Sequence, residues 1–295
     1  MENPLEYYKS HAPMTDPGQY ARTLRELPRD IGKLCELIQG LIIHRDMAPF
    51  AYDVTFSEER RNDAHIRSMV GMLTRIRELD DHPITIARER QKRFAGVCRH
   101  FSVMLCGILR EQGIPARARC GFGAYFNQGK FEDHWVCEYW NAKQARWILV
   151  DPQIDAIQKK LFKPDFDTLD VPHDRFIIAG DAWQMCRSGR ADASNFGLSM
   201  VPGLKGMWFI AGNVLRDLAS LNRAEMLPWD AWGLASKDDA SWVNDESVLD
   251  RVAAVTIGGD DAFGQVRAIY DGDDRLRVPP VVFNVLLNAH EKVSV

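Results

Sequence analysis

The chain has 295 residues, 46% of them hydrophobic and 26% charged, an ordinary globular composition that excludes a disordered chain. Its 37 Lys and Arg against 41 Asp and Glu give a formal charge of −4, which argues against nucleic acid or an anionic membrane as the main partner. The length suits one large domain or two small ones with ample core.

The first residues, Met1 to Glu6, lack a basic segment followed by an apolar one, so no signal peptide is predicted. No apolar run approaches a membrane span. The six cysteines sit mostly inside predicted elements and form no C-x-x-C pair, so neither a disulfide framework nor a structural zinc site is expected. A reducing, cytoplasmic compartment suits such thiols.

In chain order, residues 1–27, with three prolines, read as a loop pinned by Tyr7, Tyr8 and Tyr20. Residues 28–43 carry apolar positions at helical spacing, with Pro28 suited to the first turn. Ser57 reads as the N-cap of a helix running to Leu79, and residues 80–83 break it. Residues 84–94 are rich in Arg and Lys, which reads first as a solvated face. From Gly96 comes the stretch on which the rest depends. Cys98 opens a segment with Phe101, Met104, Leu105 and Ile108 on one helical face, ended by Gly113 and Pro115. A cysteine in a helix's first turn meets free N–H groups and the positive dipole end, which stabilise a thiolate. Residues 116–122 alternate as a strand, and a polar loop follows. Residues 133–140 form a second strand with His134 near its start, and residues 146–150 a third, ending at Asp151.

The segments Gly96-Val97-Cys98-Arg99, Asp133-His134-Trp135-Val136 and Trp147-Ile148-Leu149-Val150-Asp151-Pro152 resemble the core of the transglutaminase-like superfamily, relatives of the papain-like cysteine peptidases. The resemblance covers roughly residues 88–153. It implies a Cys98–His134–Asp151 triad, with Cys98 as nucleophile, His134 as base and then acid, and Asp151 orienting the imidazole. The residue chemistry agrees, because a base within reach activates a thiol and a carboxylate fixes the base's tautomer. Around the triad, Gln91 invites comparison with the oxyanion glutamine of papain-like enzymes. Arg99 raises the local positive potential. Trp135 flanks the histidine and reads first as core. Asp155 is a rival to Asp151, and His100 points away from Cys98 around the helix. A metal site through Cys98, His100 and His134 is poor, because the ligands lie on opposite faces of a helix start.

Beyond residue 155 the core resemblance fades. Residues 155–172 read as a polar connector, 181–189 as a short helix, 213–226 as an amphipathic helix, and 247–256 and 280–290 as two more. The resemblance implies a family-specific, tryptophan-rich extension here. Trp183, Trp208, Trp229 and Trp232 either line an acceptor pocket or form the seam that docks the tail, the seam being favoured. Asp230, Asp181 and Arg187, polar residues within apolar stretches, are second-rank site candidates.

These readings predict an α+β fold: a papain/transglutaminase-like core, in which a helix bearing Cys packs on an antiparallel sheet bearing His and Asp, with helical N- and C-terminal additions. The expected parts are 1–83, an N-terminal helical portion; 84–155, the catalytic core; and 156–295, a mainly helical extension packed on it. The expected activity is acyl transfer through a Cys98 thioester, as amide hydrolysis or aminoacyl/amide transfer on a small molecule or peptide, with no cofactor and no metal. The alternative is a non-catalytic binding module that kept the fold.

Overall fold

A computed structural model of the chain describes residues 3–235 and 245–294. The elements run α1 (Pro4–Lys9), α2 (Ala21–Arg25), α3 (Ile31–Leu41), β1 (Ile42–His44), α4 (Ala48–Tyr52), α5 (Glu58–Arg61), α6 (Met69–Leu79), β2 (Phe94–Gly96), α7 (Cys98–Glu111), β3 (Ala116–Gly123), β4 (Phe131–Asn141), β5 (Arg146–Val150), α8 (Ala156–Phe162), β6 (Phe176–Ile178), α9 (Ala179–Arg187), β7 (Phe196–Gly197), α10 (Met207–Leu221), β8 (Asp230–Ala231), α11 (Glu246–Thr256), α12 (Phe263–Gly272), β9 (Val281–Asn284) and β10 (Ala289–Lys292). This is an α+β architecture. The main sheet has the strand order β5-β4-β3-β6, with β7 beside β4. Among the described residues no helix is long and apolar enough to cross a membrane.

The chain forms two compact units. The first holds residues 1–4, 119–135 and 172–295; the second holds 5–118 and 136–171. The strands β3 and β4 each pass from one to the other.

In the second unit α7 is buried from Cys98 to Arg110, so it has no solvent face. Gly107 lets its neighbours close in: a Cβ there would fall 2.1 Å from Met69 Sδ. The segment β5 pairs antiparallel with β4 from Cys137–Val150 to Asn141–Arg146. Arg117 of β3 is also buried; its Nε donates to Glu138 at 2.5 Å and its guanidinium lies 4.0 Å from the Trp147 ring. In the first unit β3 pairs antiparallel with β6, and β4 pairs parallel with β7. Helices α9, α10 and α11 pack there, with a small antiparallel sheet of order β10-β9-β8.

Several expected elements differ. Residues 1–27 hold α1 and α2, with Tyr7, Tyr8 and Leu24 buried. Asp30, not Pro28, starts α3, accepting the Lys33 N–H at 2.9 Å. The helix expected over 57–79 is broken: Ser57 caps only α5, and Ser68 caps α6. Between them Asp63 is buried and anchors Arg60 Nε at 3.1 Å and Arg75 Nε at 2.8 Å, which bends the chain into a 3₁₀ turn. Asp155 caps α8 inside the expected connector. The 213–226 helix starts six residues earlier, at Met207. The helix expected over 280–290 is the β9–β10 hairpin. Its Val282 and Asn284 face inward while Val281 is exposed, a period of two, and Asn288 takes the turn with φ 49°.

Candidate active site

Cys98 is the first residue of α7 and is 6% exposed. Val97 before it is extended, with φ −130° and ψ 175°, so the sulfur belongs to the first turn, among N–H groups that have no partner within the helix. His100 braces this turn. Its Nδ1 accepts the Val97 N–H at 3.0 Å, and its Nε2 lies 3.1 Å from the Ile66 carbonyl. One nitrogen accepts while the other donates, which is the neutral Nε2–H tautomer. The break after α5 is what brings the Ile66 carbonyl here. Burial pushes the His100 pKa well below its ordinary value, and the Arg99 charge adds to this.

That shift has a sign. Below about pH 6.5 the unfolded chain takes up a proton that folded His100 refuses, so stability is lost as pH falls, by up to about 1.4 kcal/mol per pH unit. His100→Asn is expected to remove that contribution. The check is the difference in urea midpoint between native chain and variant at pH 7 and pH 5.

Arg99 is fully buried, and its Nη1 donates to the Arg67 carbonyl at 2.5 Å. Gln91 lies on an exposed 3₁₀ turn, and its backbone carbonyl accepts from Arg60 Nη1 at 2.9 Å. The basic run around it is not one solvated face. Arg88 is buried and ties the 80–86 loop through the carbonyls of Asp80, His82, Pro83 and Ile86.

His134 is the fourth residue of β4 and 2% exposed. Aromatic rings lie against its imidazole, among them Phe126 at 4.8 Å, Tyr125 at 6.0 Å and Phe176 at 6.3 Å between centroids. The sequence reading missed these residues. The signal was the pair Tyr125-Phe126 inside a loop read as polar. Asp133 and Trp135, the next residues along β4, alternate to the other face. Asp133 accepts from Asn213 Nδ2 at 2.7 Å, and burial raises its carboxyl pKa. Trp135 is fully buried, and its indole N–H finds no acceptor among the described residues.

Asp151 follows β5 directly and is 1% exposed. Its N–H donates to the Thr168 carbonyl at 2.9 Å, and its Oδ1 accepts the Gln153 N–H at 3.0 Å. Asp155 is committed elsewhere. Its Oδ1 caps Ile157 and Gln158, each at 2.9 Å, and its Oδ2 accepts from the Tyr52 hydroxyl at 2.9 Å.

The remaining candidates lie in the first unit. Trp183 is fully buried and donates to Asp250 at 2.7 Å, an oxygen shared with Arg187. Trp232 is buried and donates to the Leu276 carbonyl at 3.2 Å. Asp230 is fully buried; its Oδ2 accepts the Leu227 N–H at 2.9 Å. In the second unit Asp80, Asp81 and His82 bring metal-ligand atoms within 4.8 Å of one another, but Asp80 already pairs with Lys92 at 3.4 Å and with the His82 ring.

Residues 60–152, which include Cys98, His134 and Asp151, match the model of the transglutaminase-like superfamily. Over 75 residues the chain is 31% identical to a protein-glutamine gamma-glutamyltransferase of Pseudomonas aeruginosa, a match covering 23% of this chain and 11% of the relative. The crystal structure of a candidate cysteine protease from Cytophaga hutchinsonii aligns over 62% of this chain and 50% of its own, at 15% identity and a TM-score of 0.34.

Proposed function

We propose that this chain, a member of the transglutaminase-like superfamily and at that level a cysteine-based enzyme, transfers acyl groups through Cys98, with His134 as base and acid and Asp151 as the orienter of its imidazole. The observation that carries the reading is the placement of Cys98. It opens a 14-residue helix within the family-matched stretch, where the helix end favours a thiolate. The Cys98 thiolate adds to an amide carbonyl, and the Cys98 backbone N–H is the oxyanion donor we favour. The C–N bond then breaks, the His134 imidazolium gives its proton to the departing amine, and a thioester remains. Water or a second amine, deprotonated by the imidazole, resolves it. The substrate class is an amide on a small molecule or peptide, hydrolysed or passed to an amine.

The test is iodoacetamide alkylation of Cys98 across pH in the native chain and in His134→Ala. A profile that rises only near pH 8.5 and ignores His134 overturns the reading and leaves a binding module. Background labelling is expected to be small. Cys35, Cys106, Cys120 and Cys137 are buried, and burial pushes the half-buried Cys186 thiol up to about 11. At pH 7 only about one Cys186 in ten thousand is then a thiolate. Peptide mapping of Cys98→Ala after a pH 7 pulse should find Cys186 essentially unlabelled, although it is more exposed than Cys98.

A further inference from the structure

We infer that Tyr125 and Phe126 form an apolar subsite for the group carried on the amine nitrogen, selecting amides and amines that bear an aromatic or bulky apolar substituent over charged ones. The inference rests on the reading of His134 as the group that exchanges a proton with that nitrogen. Whatever hangs from the nitrogen then passes beside the imidazole.

The wall beside it is aromatic and built into the fold. Phe126 meets the His134 ring edge to face at 4.8 Å, and Tyr125 packs on Phe126 at 4.5 Å between centroids. Gly123 makes room for both: a Cβ there would fall 2.6 Å from Phe126 Cε2 and 3.2 Å from Tyr125 Cζ. The loop is fastened around the pair. The Ala124 N–H donates to the Arg175 carbonyl at 2.8 Å. Asn127 Nδ2 donates to Glu132 at 2.8 Å and to the Ser199 hydroxyl at 3.2 Å, and Lys130 Nζ to Asn195 at 2.7 Å. Tyr125 is 9% exposed and Phe126 half-buried, so one ring backs the wall and the other presents a partly open surface. Asn127 and Lys130 are spent on these anchors, and the wall offers a substituent ring-edge and ring-face contacts. Preorganised aromatic surface of this kind favours another ring.

The experiment uses three alkylating probes on the full-length chain: iodoacetamide, N-benzyliodoacetamide and N-(2-carboxyethyl)iodoacetamide. Each rate at Cys98 is divided by the rate of the same probe with N-acetylcysteine. The native chain should favour the benzyl probe over the carboxyethyl probe by about tenfold, the scale of one aromatic contact. Phe126→Ala should bring the ratio close to one, and Phe126→Leu, which keeps apolar volume, should hold most of it. A native ratio near one overturns the subsite, as does a ratio that survives Phe126→Ala. If Phe126→Ala does not fold, the native ratio and Phe126→Gln decide. These failures differ from failure of the catalytic reading, which shows as a Cys98 profile indifferent to His134 with any probe.

Discussion

Replacing His134 by Ala is expected to collapse the reactivity of Cys98 at mild acid pH. If a thiolate–imidazolium pair exists, the thiolate persists well below pH 7, and the native alkylation rate at pH 6 stays near its high-pH plateau. Without the imidazole the thiol returns toward its ordinary value of about 8.5. At pH 6 its thiolate fraction is then near 0.3%, a loss of roughly 300-fold relative to the variant's own plateau. Normalising each protein to its plateau matters, because a low-pKa thiolate is also a weaker nucleophile. The helix N-terminus alone is worth about 1 kcal/mol, less than one pKa unit, so it cannot hide the loss. The two curves, recorded from pH 5 to pH 10 with Cys98→Ala as the blank, decide the matter. Superimposable curves would remove His134 from the chemistry.

What the sequence made legible follows from how local each signal is. Cys98 at a helix start, His134 inside a strand and Asp151 at the end of another are set by periodicity over ten residues or so, and each stands in such a position. Arg117 and Arg119 were not legible in the same way. Their alternation with alanines predicts a half-exposed strand, yet all of β3 is buried, because each arginine meets a distant carboxylate, Glu138 or Asp217. No local pattern encodes a partner 98 positions away. The 57–79 segment failed for a similar reason: buried Asp63 holds two arginines and bends a stretch whose propensity is helical. The aromatic wall on His134 was hidden by a loop whose tip is polar and whose root is not. Its one visible trace was two large rings where a turn needs none.

Asp217→Ala should cost the chain about 3–5 kcal/mol, the penalty for stranding one member of a buried pair. Asp217 is fully buried and accepts three hydrogen bonds: Arg119 Nε at 3.0 Å, Arg119 Nη2 at 2.8 Å and the Cys120 N–H at 2.9 Å. Its loss takes the carboxylate from the buried Arg119 charge, which the Thr256 carbonyl also meets at 2.8 Å, and removes the acceptor that holds the Cys120 N–H. Desolvation explains why removing both charges is cheaper than removing one. Arg119→Met with Asp217→Leu should lose clearly less than the sum of the single changes, read from urea midpoints at pH 7. The effect should also reach the candidate site. Asp217 sits on α10 one turn beyond Asn213, which holds Asp133 beside His134. A variant whose helix is no longer fixed to β3 should therefore lose part of the His134-dependent reactivity of Cys98 even under conditions where it remains folded. If stability falls as expected but the alkylation profile at pH 6 is untouched, α10 supports the fold without positioning the histidine.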